Sequence, residues 1–479
     1  MVYAKNKGNL TSIIHTVLVG LCLLFIMAGG SYLIVHNASW SMDDACMIQS
    51  KVGSGIPTHL NDFPGFNPAE GRLFPLAYAH TNLILLFSGG GYCSAKPFYV
   101  LNAVLWVLIV TQLFLLIYVL LKDKVNLNRN MAKWVSLLVL LTFCQRILEG
   151  FTCLWTTISI DEVLTVSFCL VFLLYVRNTK RRTLYGVLSL VLLLYLSFCL
   201  ELNAVIPLMI GIGLIWNRRK LDCVSVSSMV VFLLFVVLYV FLILPGITGF
   251  YDSSHGSSET VLSNAIKELL LHKLLIVMFL AFLYRLFSVF IKKQEYDEFS
   301  DTLLLSAVAY TLGGFVLRLH GVYYMIPLLL SVPTMLYLLK WDNPRNKVLS
   351  YSFVLLIAGY HVVKYPKLCK AIYQRKASVC RKMSLFADRL KDENDIVWYA
   401  EELEDGNMEN SWLRGHVVPN LRHIKRDNTF NVKTEVEIRE GMVLLSPKTT
   451  SITLLEKQFP DFEFTLEAEL GDVVMYRIE

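Results

Sequence analysis

Long apolar runs separated by short polar connectors dominate the first 364 positions. Segments 12–35, 98–121, 132–148, 161–176, 183–199, 202–216, 225–245, 273–291, 302–317, 321–339 and 348–364 are each mainly apolar. A helix of about 20 such residues crosses the hydrocarbon layer, so the pattern predicts eleven transmembrane helices. Several are short and must run upright or reach into the headgroups. A further apolar stretch, 76–88 (LAYAHTNLILLFS), is too short to cross and reads as an interfacial or re-entrant helix. The pattern changes after residue 364. Residues 365–394 carry the periodicity of a basic amphipathic helix. From 395 to 479 the chain reads as short strands between turns: TEVEIRE, MVLLSP, ITLLEKQF, FEFTLEAEL and DVVMYRIE. The expected fold class is an all-α polytopic membrane protein with a small α+β C-terminal extramembrane domain, divided at 1–364, 365–394 and 395–479.

Charge orients these spans. Connectors 122–133, 177–182, 217–220, 291–293 and 340–347 are rich in Lys and Arg, as is the N-terminus with Lys5 and Lys7. The alternate set (36–97, 149–160, the turn at 200–201, 246–271 and 318–320) has far fewer cations. The positive-inside rule places the first set in the cytoplasm and the second outside, in a plasma (inner) membrane. The span count puts the C-terminal domain outside as well. Lys364, Lys367, Lys370, Arg375, Lys376, Arg381 and Lys382 then run against the charge rule. The first apolar run exceeds the length of a signal-peptide core and reads as an anchor.

Composition narrows the function classes. Of 479 residues, 55% are apolar and 17% charged, with a mean hydropathy of +0.54. Soluble domains carry about 25% charge, so a soluble enzyme is excluded, and disorder needs the opposite composition. The net charge of +6 is spread over the connectors, which gives no nucleic-acid-binding face. Cys22, Cys144, Cys169, Cys199 and Cys223 lie in or beside spans and read as small apolar residues. Cys46 and Cys93 share the first outer loop, where a disulfide could form. Cys153 stands alone on the second outer connector.

The first outer loop, 36–97, concentrates the candidate chemistry. Asp43 and Asp44 follow the first span closely. Paired carboxylates raise one another's proton affinity and can serve as a general base, or bind a divalent cation. They could equally form an acidic turn that caps a following helix. Asp161 and Glu162 open the fourth span on the same face, and Glu201 lies between two short spans, where an unpaired carboxylate is costly. Arg72, Lys96, Arg318 and His320 could hold a phosphate, Arg being suited to bidentate contacts. Tyr323 and Tyr324 follow directly and would also suit an interfacial aromatic belt. An active site for a phosphate-bearing membrane lipid needs such parts at one depth on one face.

With these residues in place, the chain resembles the GT-C superfamily of membrane glycosyltransferases, which includes protein mannosyltransferases and lipid A aminoarabinose transferases. The resemblance rests on the acidic pair Asp43–Asp44 after the first span and the GR-x-x-P element (Gly71, Arg72, Pro75). It continues with Asp161 at the fourth span, Glu201 ahead of Asn203, and the Tyr-Tyr-x-x-Pro run (Tyr323, Tyr324, Pro327). It covers about residues 12–364. It implies sugar transfer from a polyprenyl-phosphate donor to a glycan, lipid or protein acceptor. Asp43 or Asp44 would deprotonate the acceptor hydroxyl, whose oxygen attacks the anomeric carbon with inversion. Arg72 and Arg318 would stabilise the departing phosphate. Asp161 would orient the acceptor or, with Asp44, hold a divalent cation, Mg or Mn.

Two other classes compete. A polysaccharide polymerase or ligase would be expected to carry Arg and His in a large late loop, whereas the largest outer loop here is the first and holds acids. A lipid or solute transporter would place charges at mid-membrane and often repeat internally. The ionisable residues instead gather near the outer face, with Arg285 the exception.

Overall fold

A computed structural model describes residues 2–36, 38, 65–77, 79–80, 84, 96–123, 125, 127–152, 156–219, 221–247, 260–319, 321–339, 343–399, 421, 425, 438–448, 450–470 and 473–479. Every one of the eleven apolar segments forms a helix. They are α1 (Val2–His36), α2 (Lys96–Asp123), α3 (Arg129–Phe151), α4 (Thr156–Arg177), α5 (Arg182–Ser197), α6 (Val205–Arg218), α7 (Cys223–Leu242), α9 (Lys273–Leu286), α10 (Ser300–Val316), α11 (Met325–Leu338) and α12 (Pro344–Leu390). Among the described residues, seven of these are long and apolar enough to cross a membrane unaided. Three more, α5, α10 and α11, are shorter apolar helices. One helix was not anticipated: α8 (Val261–Leu271), within the 246–271 connector.

Local sequence explains where helices start. Asn128, Thr260 and Asn343 each accept a hydrogen bond from the backbone N–H three residues on, which satisfies an orphan donor of the first turn. Asp222 and Ser225 form a reciprocal capping box ahead of α7. Between the ends, intrahelical bonds satisfy the backbone except where Pro333 and Pro366 each remove a donor. The helix surfaces left exposed are strongly apolar, as at Phe25, Phe241 and Leu356, which is the surface a lipid-facing helix needs.

Helix contacts sort the connectors onto two ends of the bundle. At one end, Ser12 bonds Asn130 and Trp134 bonds His15. At that same end Arg177 pairs with Asp123 at 2.8 Å, and Arg218 joins Asp222, Glu298 and the Tyr175 hydroxyl. At the other end, Asn102 donates to the Phe151 carbonyl, His361 meets Gln145 at 3.1 Å, and His36 stacks on Tyr373 with ring centroids 5.6 Å apart. The cation-rich connectors thus share one end and the cation-poor ones the other. Within the core, Gly30 of α1 lets the indole of the fully buried Trp106 of α2 pack where a Cβ would clash with it.

A small hairpin sits at the cation-poor end. Strands β1 (Phe66–Asn67) and β2 (Arg72–Leu73) pair antiparallel around a single 3₁₀ turn, Pro68–Glu70. Gly71 closes that turn at φ 74°, a left-handed conformation open to glycine. Leu73 plugs into an apolar cluster with Phe198, Ala204, Phe235 and Ile243, so the hairpin is wedged between the ends of α5 and α7. The interfacial stretch 76–88 is described only at 76–77, 79–80 and 84, the last three being helical.

The last span and the basic segment form one helix. α12 runs unbroken for 47 residues through Pro366. It leads into a four-stranded sheet of β3 (Ile396–Trp398), β4 (Val443–Pro447), β5 (Phe464–Leu470) and β6 (Val473–Ile478), ordered β3-β4-β6-β5. β3 is parallel to β4 and the other pairs are antiparallel. Alternation places Val443 and Leu445 on one face with Leu390 of α12, and Leu444 on the other with Leu455. Leu455 belongs to α13 (Ile452–Gln458), which corrects the reading of ITLLEKQF as a strand. Ser451 caps the Leu454 N–H there, and only Leu455 of this stretch is buried, which is helical rather than strand spacing. The short β3 was not anticipated, and TEVEIRE lies mostly outside the described residues.

Candidate functional site

The site forms at the cation-poor end, where the hairpin meets the starts of α4, α6 and α11. Sequence order dictates the first contact. The chain leaves α5 at Phe198 and turns sharply into the 3₁₀ segment Glu201–Ala204 before α6. That turn projects Glu201 against the hairpin, where Oε1 lies 3.2 Å from Arg72 Nε and accepts the Leu73 N–H at 3.0 Å. The Arg72 guanidinium also lies over the Phe74 ring, 4.6 Å from its centroid. Tyr239 donates to the Gly71 carbonyl at 2.9 Å, and Leu76 N–H donates to the Phe198 carbonyl at 3.0 Å. Arg72 is therefore held by a carboxylate partner, with side chains one-fifth exposed on both sides.

Behind this pair is a buried polar cluster. Asp161 and Glu162 on the first turns of α4 are 3% and 2% exposed. Asp161 faces Asn203 and Cys199, and both Glu162 and Glu201 lie close enough to interact with it electrostatically. Asn203 is fixed by its own amide, which donates to the Leu196 carbonyl at 3.0 Å. Tyr310 of α10 is fully buried, and its electrostatic neighbours are Asp161, Tyr323, Tyr324 and Glu201. Asp161 Oδ1, Glu162 Oε2, Asn203 Oδ1 and the hydroxyls of Tyr310 and Tyr324 are buried without a hydrogen bond inside the protein. Such atoms are rare in folded proteins, because each forfeits its solvation, and their concentration in one place marks a site that a polar ligand or water completes.

The structure thus gathers Arg72, Asp161, Glu162, Glu201, Tyr323 and Tyr324, which lie far apart in sequence. Arg318 stands at the end of α10 with a left-handed φ of 52°, two turns beyond Tyr310 and a few residues before the tyrosines. Lys96 heads α2 with its side chain exposed rather than buried among the acids. Asp43, Asp44 and His320 lie outside the described residues, as do Cys46, Cys93 and Cys153. Among the described residues, no three His, Cys, Asp or Glu side chains gather as a metal ion would require, and the expected Asp44–Asp161 pair includes a position outside them.

Two groups escaped the sequence reading. Tyr310 and Cys199 look like ordinary members of apolar spans, although an isolated Tyr in SAVAYTLGG is a weak signal. The second group is α8. Its exposed positions are Val261, Leu262, Ser263, Ile266, Lys267, Leu270 and Leu271, and its buried ones are Asn264 and Glu268, followed by His272. Polar residues spaced by four on an apolar helix carry that signal. His80 was also passed over. It is half-buried, neither ring nitrogen finds a partner, and burial lowers its pKa to about 4.

The long apolar bundle, the wedged hairpin and the sheet beyond the last helix together make a fold that is also seen in solved structures. The chain is similar to ArnT, an aminoarabinose transferase, from Cupriavidus metallidurans. The likeness to ArnT in the apo state has a TM-score of 0.54 at 13% identity and covers 96% of this chain and 98% of that one. To ArnT bound to undecaprenyl phosphate it has a TM-score of 0.57 at 11% identity, covering 96% and 97%. At such identity the likeness is one of fold. No family model and no curated protein matches the sequence.

Proposed function

We propose that this chain is a membrane glycosyltransferase that moves a sugar from a polyprenyl-phosphate carrier to an acceptor hydroxyl on a glycan, lipid or protein. The observation that carries the reading is the set of buried, unsatisfied polar atoms on Asp161, Glu162, Asn203, Tyr310 and Tyr324, set beside Arg72 and Glu201. The fold adds support, since an ArnT structure of the same architecture binds undecaprenyl phosphate.

In this reading Asp43 or Asp44 takes the proton of the acceptor hydroxyl. The acceptor oxygen forms a bond to the anomeric carbon as the bond from that carbon to the phosphate oxygen breaks, and the configuration inverts. The departing phosphate takes the electron pair, and Arg72 with Arg318 stabilises its charge. Glu201 holds Arg72 in place for that task. Asp161 and Glu162 orient the acceptor, while Lys96, His320, Tyr323 and Tyr324 contact the substrates. The hairpin end faces away from the cytoplasm, where lipid-linked rather than nucleotide-linked sugars are available.

Two measurements test this. Asp43→Asn and Asp44→Asn are each made in full-length protein and assayed with undecaprenyl-phosphate-linked sugars. At least one is expected to lose about 10²–10⁴-fold in transfer, the usual scale for a general base, while the protein still inserts. Full activity in both rejects the base assignment. For orientation, Lys96→Cys and Lys180→Cys variants are expected to react with an impermeant maleimide from opposite sides of the membrane. Labelling from one side rejects the topology.

A further inference from the structure

The helix α8 turns polar residues inward beside Ala265 and Leu269, which pack on the hydrophobic core. On a soluble surface helix the apolar stripe faces the core. Here Leu262, Ile266 and Leu270 face outward, while Asn264 and Glu268 are each 1% exposed and His272 is 5% exposed. A helix at the bilayer boundary can expose apolar residues to lipid, but that does not explain polar ones turned into the protein, since burying them costs free energy unless they are satisfied.

Their surroundings are specific. Glu268 Oε2 lies 3.3 Å from His272 Nε2. The His272 ring sits 5.9 Å from that of Tyr324, and Phe315 packs on the far side of Tyr324 at 5.5 Å. Asn264 faces the Tyr324 hydroxyl, yet neither completes a hydrogen bond of normal geometry with the protein. Gly321 packs directly against this row, since a Cβ there would lie 2.5 Å from His272 Nε2 and 3.5 Å from Glu268 Oε2. Burial and the nearby Arg146 lower the His272 pKa to about 4, so the imidazole is neutral at pH 7. Tyr324 joins this row to Tyr310 and the acids of α4.

From this arrangement we infer that the inward face of α8, with Asn264, Glu268 and His272 beside Tyr324, is the subsite that reads the hydroxyls of the sugar ring on the lipid carrier. An amide, a carboxylate and a neutral imidazole offer the mixed donors and acceptors that ring hydroxyls require, and the flanking aromatic rings offer a flat apolar wall for the ring's C–H face. The inference rests on the proposed function and names the part of the site that recognises the sugar rather than the phosphate.

The test measures binding by the full-length protein in nanodiscs. The probes are undecaprenyl phosphate and the same lipid carrying glucose or 4-amino-4-deoxyarabinose. Wild type is expected to bind at least one sugar-bearing lipid more tightly than the bare phosphate. Glu268→Gln, which keeps the shape, and Asn264→Ala are each expected to weaken that binding about ten-fold, the scale of a lost buried hydrogen bond, with bare undecaprenyl phosphate binding unchanged. Equal loss for all three lipids, or no loss for any, overturns the inference. So does a wild type that binds the sugar-bearing lipids no more tightly than the bare phosphate, although the proposed function then stands. A wild type that binds none of the three removes both.

Discussion

Asp161→Asn is expected to lower sugar transfer by about 10²-fold or more without unfolding the protein. The residue is 3% exposed on the first turns of α4 and faces Asn203 and Cys199. Its Oδ1 finds no partner in the protein. Asn has the same outline, so packing against the 3₁₀ turn at Glu201–Ala204 survives. What disappears is the carboxyl group that, in the proposed function, orients the acceptor. Misorientation of a reacting group by about 1 Å costs on the order of 10²-fold. The decisive measurement is steady-state transfer alongside thermal melting in detergent. A drop in rate with an unchanged melting temperature supports a role in the reaction. A fall in both together assigns Asp161 to stability, and an unchanged rate removes it from the site.

Arg285→Ala is expected to destabilise the protein by about 3–5 kcal/mol, the scale of breaking a buried ion pair from one side. Arg285 donates to Asp301 through Nε at 2.7 Å and Nη2 at 2.6 Å, a bidentate pair, and Nη2 also reaches the Glu295 carbonyl at 3.1 Å. Asp301 is 6% exposed and further accepts the Asp297 N–H at 2.8 Å. Without Arg285 that carboxylate stays buried against the Asp297 N–H. The double variant Arg285→Ala, Asp301→Ala should recover part of the loss, because no uncompensated charge is left. Melting of both proteins in detergent gives the comparison, and additivity of the two single effects would show that the pair does not act as a unit.

That pair also shows how far sequence reading reaches. Arg285 stood out as a charge inside an apolar run, at odds with the other ionisable residues. Its partner was invisible because Asp301 lies across a connector, at the start of the next helix. The eleven helices were legible because hydrocarbon imposes one simple demand on length and polarity. Grouping of the connectors by charge was legible for the same reason, and the two ends of the bundle bear it out. The meeting of Arg72 with Glu201 was not, since nothing local links a hairpin to a turn more than a hundred residues later. Tyr310 and Cys199 were hidden by their setting, because an aromatic or a thiol inside a span reads as packing. In the C-terminal region, ITLLEKQF was misread because Ile and Thr at its start carry strand preference, which the Ser451 cap overrides. Asp43 and Asp44, central to the chemical expectation, lie outside the described residues, so their part in the site rests on the variants proposed above.

The unbroken α12 has a mechanical consequence. Arg477 of β6 grips Glu393 just past the helix end at 2.8 Å and Glu467 at 2.7 Å, while Leu390 is sealed into the sheet's underside. Farther back along the same rod, Tyr373 stacks on His36 and His361 bonds Gln145. A pull or twist applied to the terminal sheet would therefore be passed along one helix toward α1 and α3. Give would concentrate at Pro366, where the ladder loses one rung.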